Sequence, residues 1–89
     1  MNPRVVEVVA MEEYRLLIIF SNGEIATFEV GPYLKDNFWA PLKNVDLFKA
    51  VKVAGGSIEW ANGIDFCPDE IYEKSVILGK KISETQLAI

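Results

Sequence analysis

The chain has 89 residues, a net charge of −4 from 9 Lys+Arg against 13 Asp+Glu, 51% hydrophobic residues, one cysteine and no histidine. That length is one domain with a modest core, and the acidic balance argues against independent DNA or RNA binding, which draws its affinity from cations neutralising phosphates. Without histidine there is no Ser-His-Asp or Cys-His catalysis and no common catalytic zinc site; the single Cys67 forms no internal disulfide and fits a reducing compartment.

In chain order, residues 3–11 (PRVVEVVAM) read as a Val-rich strand, residues 14–20 (YRLLIIF) as a second and residues 24–30 (EIATFEV) as a third. The Ser21-Asn22-Gly23 link between the last two is a hairpin signal, because Asn and Gly tolerate positive φ. Its length decides which face is core. A two-residue Asn-Gly turn groups Leu17, Ile19, Ala26 and Phe28. A three-residue loop with Gly23 left-handed groups Leu16, Ile18, Phe20, Ala26, Phe28 and Val30, and sends Arg15, Thr27 and Glu29 to the other side. The second choice segregates polar from apolar better and is the expected register. It still leaves Leu17, Ile19 and Ile25 on the outer face, so either the chain covers them itself or another subunit does; the plain alternative is that isolated surface aliphatics are ordinary.

Beyond Gly31-Pro32 the period changes, and GPYLKDN suits a short helical turn. Residues 38–42 (FWAPL) read as a loop pinned by aromatics. Asn44 is placed to cap a short helix over 45–50. Residues 51–53 and 57–60 then form two strands around Gly55-Gly56, Ala61-Asn62-Gly63 turns again, and residues 64–66 extend the ladder. Pro68 opens a helix over 68–74 with Asp69 and Glu70 near its positive end. Residues 76–89 (VILGKKISETQLAI) have no clean period, since Gly79 and Lys80-Lys81 interrupt it; they read as a loose terminus or as a strand or arm that docks on the exposed face or a neighbour. The domain is therefore placed at 3–75, with 76–89 as an extension. No apolar run reaches the roughly 18 residues of a membrane span, and Glu7 interrupts any signal-peptide core, so the expected location is the cytoplasm with no membrane partner.

Candidate chemistry concentrates in residues 55–73. Trp60, Asn62 and Asp65, with Tyr72, are the candidate binding residues: an aromatic beside polar groups makes a recognition pocket. The structural alternative is stronger. Trp60 serves as core, Asn62-Gly63 as a turn, and Asp65 as a partner for turn or helix-end amides. Asp65, Asp69 and Glu70 lack the alternating ligands of a calcium loop, so no metal is expected. Cys67 lacks a base and reads as a half-buried structural cysteine. Gly55-Gly56 is not a phosphate loop, because neither GxGxxG nor GKS/T follows. Phe38 and Trp39 read as pinning their loop to the sheet rather than as a peptide-binding patch. No catalytic residue and no cofactor are expected.

The blocks PRVVEV, YRLLIIFSNGEIATFEV, PYL, FWAPL, LFKAVKV and GGSIEWANGIDFCPDEIY resemble the bacterial domain-of-unknown-function family 2442, over about residues 3–73. The resemblance implies a small α+β domain on an antiparallel sheet. Some relatives look fused to a helix-turn-helix segment, a pattern this chain lacks after residue 73, and many are encoded beside small toxin-like proteins. No catalytic residues are established for the family. The expectation is thus α+β, an antiparallel sheet of about five strands with two or three short helices. The function expected is a non-catalytic interaction module, antitoxin-like, for a small basic protein. Two other readings stand beside it: a small-ligand sensor or minor carboxylate-dependent enzyme with Asp65 or Tyr72 in a pocket beside Trp60, and a structural homo-oligomer.

Overall fold

In the computed structural model, which describes residues 2–80, six strands and two short helices form an α+β domain. Strands β1 (Val5–Met11), β2 (Arg15–Phe20) and β3 (Glu24–Glu29) run as an antiparallel meander. Gly23 takes φ +87°, which a side chain strains to reach, and Ile18 pairs with Ala26. This is the three-residue loop register expected above. Leu16, Ile18, Phe20, Ala26, Phe28 and Val30 are accordingly all 0–1% exposed.

The meander gains a fourth strand from the segment that lacked a clean period. β6 (Val76–Lys80) pairs antiparallel with β3, giving the order β1-β2-β3-β6. Ile25 pairs with Gly79 and Ala26 with Ile77, so Leu78 is an extra residue in the ladder. Such a bulge shifts the alternation by one position, which is why VILGK shows no period of two. The sheet thus extends past residue 75; residues 81–89 of the expected extension lie outside the described residues. β1 carries a similar bulge at Val6.

Everything else packs on one side of this sheet. The strands β4 (Lys52–Ala54) and β5 (Ser57–Glu59) make a separate hairpin, so the strands divide four and two. Its Gly55-Gly56 link has φ +58° and +77°, the two-residue turn matched to strand twist. The hairpin is tied to β1 where Gly56 O accepts from Val5 N at 2.9 Å. Helix α1 (Val45–Lys49) is capped by Asn44, whose Oδ1 accepts from Leu47 N at 3.2 Å. Helix α2 (Pro68–Lys74) opens on Pro68. Helices of five and seven residues do not persist alone in water; Phe48 and Ile71 hold them by entering one core with Leu34, Leu42, Ile58, Trp60, Ile64 and Phe66.

Candidate functional site

Trp60 is the deepest of the residues singled out from the sequence. It is fully buried, and its Nε1–H donates to Phe48 O at 2.9 Å, so its one polar atom is spent on the core. Asn62 occupies the turn that follows. Its Oδ1 accepts from Ile64 N at 3.2 Å, while Gly63 adopts φ +90°. That turn folds residues 64–66 back along β5: Trp60 N donates to Ile64 O at 2.8 Å, and Glu59 bridges Asp65 antiparallel.

Tyr72 stands elsewhere. Its ring meets Phe20 edge-on at 4.9 Å, and its hydroxyl donates to Glu24 Oε1 at 2.6 Å. The same oxygen accepts from Asn22 Nδ2 at 2.6 Å. These two donors hold the Glu24 carboxyl below its usual range, while the bond to Glu24 pushes the Tyr72 phenol up. A second tyrosine–carboxylate pair joins Tyr33 to Glu70 at 3.1 Å, and there burial first, then the carboxylate, raises the Tyr33 phenol. Both pairs tie α2 to other parts of the fold. Neither pair shares a hydrogen bond with Trp60, Asn62 or Asp65.

Asp65 is the candidate that reaches a cavity. A groove of about 240 Å³ is lined by Ala54, Gly55, Glu59, Asp65, Phe66 and Pro68, with Ser57 and Ile58 at its base. Ser57 is buried and satisfied, its hydroxyl donating to Phe66 O at 2.7 Å. The polar character therefore comes from Glu59 and Asp65. They are direct cross-strand partners, a placement that puts two like charges side by side at a local cost. Lys52 stands opposite Glu59 on its other side, in the β4–β5 ladder, but among the described residues the only ion pairs within 4.0 Å are those of Arg15 with Glu13 and Glu29.

Cys67 is exposed rather than half-buried: as the residue before α2 it takes an extended conformation, and within the helix it is Ile71 that enters the core. Trp39 does pin its loop, stacking on Phe66 at 4.3 Å and 12°, whereas Phe38 is exposed and meets the Trp39 ring edge-on at 4.8 Å. Phe66 also meets Phe28, Tyr33 and Trp60, a central role that no spacing in the sequence announces. A second cavity, about 310 Å³, lies between Met11, Tyr14, Val45 and Phe48 at the turn where Glu13 and Tyr14 take φ +60° and +56°. Among the described residues no group of three metal-binding side chains assembles, and no helix is long and apolar enough to cross a membrane.

The model of the family described as a protein of unknown function, DUF2442, matches residues 5–76. The chain belongs to this family. The matched span runs from the first residue of β1 to the first of β6 and takes in β1 to β5 and both helices. No curated protein and no solved structure matches the chain. The DUF2442 assignment agrees with the α+β architecture and assigns no chemistry to any residue.

Proposed function

We propose that this DUF2442 domain is a non-catalytic interaction module that docks a small basic protein in the manner of an antitoxin-like component. The observation that carries the reading is the Glu59–Asp65 pair. Two carboxylates sit opposite each other in an open groove, and a Lys or Arg side chain from a partner relieves their repulsion while gaining charge-assisted hydrogen bonds. The net charge of −4 supplies long-range attraction for the same partner. The ligand-sensing and enzymatic readings have no such support, because Trp60 is wholly inside the core and Tyr72 is held by Phe20 and Glu24.

Purification from the native host followed by mass spectrometry tests the proposal. The expected result is a stoichiometric basic protein, released by salt. Its affinity drops about tenfold for Glu59→Gln or Asp65→Asn, the loss of one charge-assisted contact. Recovery of the chain without a stoichiometric protein partner sinks the idea.

A further inference from the structure

The four-stranded sheet has a second face, on the opposite side from the groove and from every helix. Read across the strands in the order β1-β2-β3-β6, its rows are Glu7-Ile19-Ile25-Gly79, then Val9-Leu17-Thr27-Val76, then Met11-Arg15-Glu29. Five of the eight residues in the first two rows are aliphatic, Ile19, Ile25, Val9, Leu17 and Val76. Val9 is 55% and Val76 59% exposed, and Leu17, Ile19 and Ile25 between them are half-buried. The third row carries the charged pair, with Arg15 at 3.8 Å from Glu29.

We infer that this face is covered by a second copy of the chain, related by a two-fold axis that lies in the face and runs along the strands between β2 and β3. The charge pattern selects both occupant and axis. That rotation lays each row on the same row of the second copy in reverse order. Ile19 meets the second copy's Ile25, Leu17 meets Thr27, Val9 meets Val76, and Arg15 meets Glu29. The two Arg15–Glu29 pairs then form an alternating ring of four charges, while Glu7 stays at the rim. A two-fold axis across the strands instead lays the third row on the first. It presses Arg15 and Glu29 against Ile19 and Ile25, and burying charges on aliphatics is costly. Twisted sheets pack at about −30°, which displaces the corners most and the central β2–β3 pairs least.

The size of the face sets the strength. Four strands about 4.8 Å apart and about five residues at 3.4 Å give roughly 19 by 17 Å. That footprint, about 320 Å² per copy, is smaller than a stable interface buries, so the dimer is a weak and transient one that forms reversibly over roughly tens to hundreds of micromolar. The inference stands apart from the Glu59–Asp65 groove, which this dimer leaves open.

Sedimentation of the full chain from about 10 µM to 1 mM is the test. The expected result is a monomer–dimer equilibrium that Ile19→Asp abolishes, and that Thr27→Lys, at an already polar position, weakens at least tenfold with folding intact by circular dichroism. Arg15→Glu and Glu29→Arg each weaken self-association, yet mixing the two variants restores a dimer containing one of each. A monomer at every concentration overturns the inference, as does a dimer that tolerates Ile19→Asp and Thr27→Lys. Failure of the mixed variants to pair overturns the axis.

Discussion

The two faces of the four-stranded sheet are built from neighbouring residues of the same type, yet they meet different surroundings. Leu16, Ile18 and Phe20 on one face are 0–1% exposed, whereas Leu17 and Ile19, between them in the same strand, are only half-buried. Hydrophobicity does not distinguish these positions. Topology does: both helices, the β4–β5 hairpin and the turns between them all lie on one side, leaving nothing among the described residues to cover the other. An isolated strand with aliphatics on both sides is suited to burial on both, and the described residues supply one covering layer.

The largest effect expected of this asymmetry comes from paired truncations. Phe28→Ala removes a ring that packs on Tyr33 and Phe66 at the centre of the inner layer, and costs about 3–5 kcal/mol. Leu17→Ala, one strand over and one face across, costs less than about 1 kcal/mol in dilute solution. Urea unfolding at low micromolar protein checks both, and comparable losses break the comparison. Repeating the pair near 1 mM sharpens it, since the cost of Leu17→Ala grows where self-association stabilises the folded chain.

Trp60→Phe is the next largest. It opens space in the inner layer and leaves Phe48 O without its donor, at about 2–3 kcal/mol by urea midpoint. A change under about 0.5 kcal/mol removes Trp60 from the core and reopens it as a binding residue.

How much of this was readable beforehand depended on whether local chemistry decided the outcome. Ser21-Asn22-Gly23 and Gly55-Gly56 dictate their own turns, and Pro68 with Asp69 and Glu70 starts a helix, so the meander, the second hairpin and α2 are legible. β6 is not, because the bulge at Leu78 destroys the alternation by which strands are recognised. The partition into two sheets is equally hidden, as Lys52 and Val53 carry no sign of which strands they pair with. At the candidate site Asp65 is legible as a polar turn residue, but its partner Glu59 emerges only once the Asn62-Gly63 turn sets the register. The exposure of Cys67, next to the buried Phe66, is set by how the chain passes from the core into α2 and is encoded by no single residue.

The smallest effect is in the pH dependence, and it separates the clamp on the inner layer from the bare outer face. Two hydrogen bonds depress the Glu24 carboxyl in the folded chain below its ordinary 4.5. The stability this contributes is present above that value and is lost as pH falls through the lower folded one. Tyr72→Phe removes one of the two bonds, so the acid limb of a stability–pH profile becomes shallower. The Tyr72 and Tyr33 phenols are raised above 10.0. Their contribution is complete below pH 10 and disappears as the pH rises beyond it. An unchanged acid limb in Tyr72→Phe removes the Tyr72–Glu24 bond from the account.

The most direct test of the central claim, that the outer face is an interface for a second copy, is methyl relaxation by a soluble paramagnetic chelate at two concentrations. At about 10 µM the Leu17, Ile19 and Ile25 methyls are expected to relax strongly and those of Leu16 and Ile18 to stay protected. Near 1 mM the outer methyls become protected as well. Outer methyls equally accessible at both concentrations, or already protected at the lower one, contradict it.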